Sequence, residues 1–317
     1  MDTHQIIDAF AAAMREGGME PPPEGIIADG VLHRFHIAGH KHGSKNGRYK
    51  LNLEGIKPAG YFESMKAGEC PKTYWKADGP AKPMSEAERR QHEAKKRQSE
   101  QQRQTKQQRA AEQAGKLWAQ AKDISGRGDH PYLIRKGVEP HGLRLLPAWT
   151  TRAQQDGQWI NIVVKKVLLV PLVDIRGRLH NLQAIFAEIE PTLGRDKDFL
   201  PDSKTGGVFH CIGQPTPEKI ICEGYATGAS LYEATGLQTF CALSAGNLLA
   251  VAQLIRKHRP TAKIIIAADN DIKPNGSNPG LKAAQIAAQA VGGFLAVPPI
   301  AGDFNDFAAS LTTEAGA

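Results

Sequence analysis

The chain has little that would staple it together or place it in a membrane. Cysteine occurs only at 70, 211, 222 and 241. No CxxC pair exists among them, so neither a disulfide framework nor a zinc ribbon is written in their spacing. Their apolar surroundings predict buried, reduced thiols, and no zinc is expected. No apolar stretch approaches the roughly 18 residues that a membrane span needs, and no basic-then-apolar leader opens the sequence. The expectation is a cytoplasmic protein with no membrane partner. GxxxxGK[ST] and GxGxxG are both missing, which argues against a P-loop ATPase and a dinucleotide fold. Acidic residues are outnumbered, 33 Asp and Glu against 40 Lys and Arg for a net charge of +7. That balance favours a polyanionic partner.

What is present divides into regions, and 317 residues leave room for about two domains. Residues 1–80 predict a helix over His4–Arg15, then strands over Val31–Ile37, Arg48–Leu53, Ala59–Ser64 and Thr73–Lys76. Asn46-Gly47 reads as a type I′ hairpin turn, because both central residues of that turn need positive φ. The region is a small β-rich module. Residues 81–122 are rich in Gln, Arg, Lys, Glu and Ala, with no Pro or Gly from Met84 to Gly115. They predict one long helix with few apolar positions, a solvated connector. Residues 123–215 contain a strand over Lys166–Ile175, a turn at Asp174–Arg178 and a strand over Leu179–Glu188. In residues 216–317 strands and helices alternate, which implies a parallel sheet covered on both faces. The fold class is α/β.

Two segments carry chemistry: Ile220-Ile-Cys-Glu-Gly-Tyr-Ala-Thr-Gly-Ala-Ser230 and Ile264-Ile-Ile-Ala-Ala-Asp-Asn-Asp271. Each is a short apolar run that ends in acid. Such runs read as buried parallel strands, and open α/β sheets gather ligands at the strands' carboxyl ends. Glu223, Asp269 and Asp271 would then share one rim. Oxygen ligands of that kind suit Mg²⁺, with Mn²⁺ an alternative, held by carboxylates, waters and substrate phosphates.

These residues resemble a family. Glu223-Gly224-Tyr225 after one strand and Asp269-Asn270-Asp271 after a later one are similar to the Toprim domain. Its members include primases, topoisomerases and some nucleases. The flanks narrow the resemblance. Pro131-Tyr132-Leu133, Val170-Pro171-Leu172 with Asp174–Arg178, Phe199-Leu200-Pro201, Gly207–His210 and Gly302-Asp303-Phe304-Asn305-Asp306 resemble, in order, the DnaG-type primase polymerase core. The wording Glu-Gly-Tyr-Ala-Thr with Ala-Leu-Ser-Ala-Gly-Asn-Leu is closest to primases of phages and conjugative plasmids.

The resemblance implies a Toprim domain fused to an α+β primase polymerase-core subdomain. It implies a DNA primase that makes short RNA primers from NTPs on a single-stranded DNA template, with a replicative helicase, where one is used, as a separate chain. Asp269 and Asp271 would be catalytic metal ligands, with Asp303 a further ligand. Glu223 would be a metal ligand or a general base. Asp306 could be a ligand or a helix cap. The sequence departs from the family at Thr227, where replicative primases carry Asp, in the longer loop over 272–280, and in lacking zinc-ribbon ligands. Two alternatives stand beside priming: a Toprim nuclease using the same acids, and a non-catalytic single-strand-binding accessory. A topoisomerase is less supported, since no gate domain is visible.

Polyphosphate and template call for cations. Arg176, Arg178, Lys197 and Lys204 fall in the segments matched to the primase groove, and Gly224 allows close backbone approach. In the N-terminal module, Arg34, Lys45, Arg48, Tyr49 and Trp75 combine charge with rings, a combination that suits single-stranded DNA. His33, His36, His40 and His42 lack cysteine partners, and a metal reading for them is not adopted.

Overall fold

The computed structural model describes residues 2–40, 44–54, 57–65, 69–78, 86–155, 158–272 and 276–315. The chain separates into two compact units, Met1–Ser99 and Glu100–Ala317.

The first unit packs one helix on one sheet. Helix α1 (Thr3–Glu16) starts with a capping box in which Asp2 and Gln5 each bond the other's backbone N–H. Its apolar stripe, Ile6, Phe10 and Met14, follows helical spacing and is buried. Strands β1 (His33–Phe35), β2 (Gly47–Asn52), β3 (Ala59–Ser64) and β4 (Thr73–Lys76) form an antiparallel meander. Tyr49, Leu51 and Phe62 alternate inward onto the helix stripe. Gly60 is required there, because a Cβ would lie 2.4 Å from the Lys50 carbonyl and 2.9 Å from the Phe10 ring.

One expectation fails in this unit. Gly47 is not a turn residue: it pairs with Phe35 inside the ladder, under the Phe35 ring, and has no positive φ. The dipeptide signal is overridden by the space that Phe35 needs.

In the second unit, strands β5 (Lys122–Asp123), β6 (Arg144–Gln155), β7 (Gln158–Val173), β8 (Leu179–Glu190) and β9 (Arg195–Phe199) form an antiparallel sheet in chain order. Helix α2 (Glu86–Gln120) is the expected long helix, but its last turns are not a solvated connector. Ala114, Leu117 and Trp118 pack with Leu146, Trp149, Val167 and Phe186 of this sheet.

The second sheet runs in the order β10 (His210–Ile212), β12 (Gln238–Cys241), β11 (Glu218–Cys222), β13 (Lys263–Ala267), β14 (Phe294–Ala296). All pairs are parallel except the β10 edge. Alternation along β11 assigns its two faces. Ile221 points to Val251 and Ile255 of α5 (Leu248–His258) and Ala284 and Ala287 of α6 (Pro279–Val291). Ile220 and Cys222 point to Tyr225, Ala226 and Ala229 of α4 (Tyr225–Thr235) and to Leu133 of α3 (Pro131–Lys136). That second core continues into Leu168, Val170 and Ile185 of the antiparallel sheet, so the two sheets share it. Helix α7 (Phe304–Ala315) packs on α4 and is tied in by Asn305, which donates to the Lys136 carbonyl at 2.6 Å and Ser230 at 3.0 Å. Among the described residues no helix is long and apolar enough to cross a membrane.

Candidate metal centre

Strands β11 and β13 are parallel neighbours, so both chains leave the sheet at the same edge. Glu223 follows the first and Asp269 follows the second. The next loop is brought to that edge by an isolated bridge: Asn270 N donates to Gly302 O at 2.8 Å and Gly302 N returns to Asn270 O at 3.2 Å. Asp303 arrives with it. Gly302 has φ +107°, and a Cβ there would lie 2.5 Å from Asp306 Oδ2, so only glycine fits this close approach. On the other side of Glu223, Leu243 holds φ +60° while its N–H donates to the Glu223 carbonyl at 2.7 Å. A bulky residue in the left-handed region is strained, and such strain collects at functional sites.

The acids feel one another. Burial, then Glu223, Asp303 and Asp271 in that order, raise Asp269 from the usual carboxylate range to about 7, with Lys197 acting the other way. Burial also raises Glu223, against a hydrogen bond from the Ala245 backbone and the charge of Lys197, with Asp271 adding to the rise. Asp269 Oδ1 is buried and, among the described residues, has no hydrogen-bond partner. Asp271 is exposed. Among the described residues no three His, Cys, Asp or Glu side chains are arranged to hold a metal ion as they stand. The rim is thus a crowd of carboxylates in mutual repulsion, with no closed cage.

Asp303 is heavily engaged. Its Oδ1 accepts the N–H groups of Asn305 and Asp306 at 2.7 and 3.0 Å, capping α7, and its Oδ2 accepts from Thr227 at 2.9 Å. Asp306 completes the cap by accepting from Asp303 N at 3.1 Å, and pairs with Lys136 at 3.6 Å. Gly224 sits just before α4, where no side chain caps the helix. A Cβ at Gly224 would lie 3.3 Å from Thr227 Oγ1, and an uncapped helix start is the setting in which helix N-termini receive anions.

The expected cations part company. Lys197 on β9 acts on Glu223 and Asp269 and lies 6.0 Å from the Tyr132 ring centroid. Arg178 is held by Asp174 through Nε and NH2, both at 2.8 Å. Asp174 also accepts from Arg176 N, Arg178 N and His180. Burial pushes its carboxyl up, but these donors outweigh burial and hold it well below the usual range. Arg176 is exposed beside it. Arg178 and Lys204 line a cleft of about 580 Å³ with His180 and with Arg103 and Gln107 of α2, and none of the four acids borders it.

In the N-terminal unit the structure corrects two residues. Tyr49 is 2% exposed, with its hydroxyl accepting from Ile27 N at 2.9 Å. Trp75 lies against Phe10, centroids 5.3 Å apart. Both rings face the core: Tyr49 is enclosed in it and closed to stacking, and Trp75 is half-buried against it. Arg48 pairs with Glu63 at 3.0 Å, while Arg34 and Lys45 are exposed. His33, His36 and His40 go separately to Asp29, the Ser44 carbonyl and Glu69, and His42 lies outside the described residues.

Residues 218–314 match the model of the Toprim domain. Over 96% of its length the chain is 33% identical to DNA primase TraC of Escherichia coli, covering 27% of that protein. It is 31% identical to a second Escherichia coli DNA primase TraC, again over 96% of the chain and covering 20% of the relative. The chain therefore spans about a quarter of the length of the curated relatives it matches. Among solved structures it is similar to the DnaG primase catalytic domain bound to ssDNA, at 14% identity and TM-score 0.45, over 68% of this chain and 78% of that one.

Proposed function

We propose that this Toprim-domain chain, similar along nearly its whole length to DNA primase TraC, is a DNA primase that joins ribonucleoside triphosphates on a single-stranded DNA template. In this reading residues 123–215 are the core's N-terminal subdomain and 216–317 the Toprim domain. The observation that supports it best is Asp269, whose buried Oδ1 has no hydrogen-bond partner among the described residues while burial, then Glu223, Asp303 and Asp271, push its protonation upward.

A buried carboxylate oxygen among like charges fits a divalent cation, because the cation removes the repulsion that burial magnifies. Asp269 and Asp271 would hold it, with Glu223 within reach; Mg²⁺ is the expected ion and Mn²⁺ a substitute. When bound, it would supply charge neutralisation for triphosphate and activation of the attacking 3′-hydroxyl. Glu223, raised by burial, is suited to receive a proton from that hydroxyl. Lys197 and the open start of α4 would orient the phosphates. Asp303 is mostly engaged as a cap and positions α7 against α4.

The test is incubation with circular single-stranded DNA, labelled NTPs and Mg²⁺ or Mn²⁺, beside Asp269→Asn. Short labelled oligonucleotides from the unaltered chain alone support priming. Degraded template would replace it with the nuclease reading, and binding with neither product with the accessory reading.

A further inference from the structure

The outer face of the N-terminal sheet carries rings where neither Tyr49 nor Trp75 points. Tyr61 on β3 and Tyr74 on β4 are register partners, so they share a face, and their centroids lie 6.0 Å apart. Tyr74 is 73% exposed. Lys72 Nζ sits over both, 4.2 Å from the Tyr61 centroid and 5.2 Å from that of Tyr74. Lys50, the register partner of Tyr61 on β2, extends the same row. Lys76, two residues beyond Tyr74, and Arg34 on β1 are exposed. The acid on this face, Glu63, is answered by Arg48. Among the described residues, Lys50, Lys72, Lys76 and Arg34 form no ion pair.

We infer that this face is a stacking platform for single-stranded DNA. Cross-strand tyrosines alone would be ordinary sheet stabilisation, worth a few tenths of a kcal/mol to about 1 kcal/mol. Here one ring is open to solvent, and among the described residues cations without an ion pair outnumber the one acid of this face, Glu63, which Arg48 neutralises. A flat ring takes a base only when that base is unpaired, and flanking ammonium groups take the phosphates on either side of it. A duplex keeps its bases covered and would meet the lysines alone. Among the described residues, the outward positions of β2, β3 and β4 offer hydroxyl-tipped rings and lysine rather than large aliphatic side chains, so a lipid surface fits them poorly. The choice of DNA as occupant rests on the priming reading; the platform itself does not.

The experiment uses the full chain with a short fluorescein-labelled oligothymidylate, a duplex of equal length, and an RNA of matching sequence. Tyr61→Leu and Tyr74→Leu should each weaken single-strand binding about tenfold. The corresponding Phe variants should bind like the parent, and Lys72→Ala should flatten the salt dependence. Leu variants that keep their melting temperature and bind undiminished would overturn the inference. So would equal losses for single strand and duplex, and a preference for RNA would overturn the choice of DNA. Should the Leu variants unfold, photocrosslinking of the unaltered chain to an iodouracil-substituted strand decides. Adducts at Tyr61 or Tyr74 support the platform, and adducts elsewhere alone exclude it. Ring-dependent binding in a chain that makes no primers would remove the priming reading and leave the platform standing.

Discussion

Thr227 Oγ1 donates to Asp303 Oδ2 across 2.9 Å, joining the first turn of α4 to the cap of α7. An aspartate at 227 would add a further carboxylate to a rim that already repels itself; threonine offers a neutral donor instead. Thr227→Val should cost about 1 kcal/mol, the usual price of a lost side-chain hydrogen bond. Thr227→Asp should lower the melting temperature at pH 8 in EDTA and recover more with Mg²⁺ than the parent does. Thermal unfolding with and without Mg²⁺ checks both, and a Thr227→Asp protein indifferent to Mg²⁺ would contradict the metal assignment.

Asp269 sets a pH dependence of definite sign. Its folded value, about 7, lies above the ordinary 3.8. The metal-free protein therefore gains stability from this group below about pH 4 and loses it as pH rises through 7, by on the order of a few kcal/mol. Asp269→Asn should flatten that loss and raise the melting temperature at pH 8 in EDTA. The same substitution should lower primer synthesis about a hundredfold or more while leaving affinity for single-stranded DNA intact. Unfolding curves across pH, set beside primer yields, measure both arms.

Lys197 pulls Glu223 and Asp269 back toward ionisation. Lys197→Met should shift the acidic limb of the pH–activity profile to higher pH and raise the KM for NTPs. An unmoved limb would separate Lys197 from the acids.

Asp174 gathers the turn that carries Arg176 and Arg178. Asp174→Ala frees several donors at once and should cost about 3 kcal/mol in urea unfolding. Arg178→Ala should cost less, because the backbone donors remain satisfied.

The parallel-sheet part was plain in the sequence because buried parallel strands are near-continuous apolar runs, and Ile220–Cys222 and Ile264–Ala267 have little else to be. The site followed, since parallel topology forces both strand ends to one edge. Strand β6 and the first part of β7 were missed: Arg144–Gln155 mixes charge with Trp and Thr, as a half-solvated hairpin does. Asp156-Gly157, a common hairpin dipeptide, stood between them as an unused signal. Ring direction in the N-terminal sheet was misjudged for a different reason. Trp75 and Tyr74 are adjacent, so a shift of one residue exchanges inside for outside, and only the packing of Trp75 on Phe10 decides it.

Gly228 lets α4 lie directly on the paired thiols of Cys222 and Cys241, whose sulfurs are 3.9 Å apart; a Cβ there would come within 2.3 Å of Cys241 Sγ. Both thiols are buried one layer below Glu223. An alkylating reagent can reach them only when the helix lifts. Their labelling rate is thus a native clock for how often this edge of the sheet comes apart, and a ligand that clamps the rim should slow it.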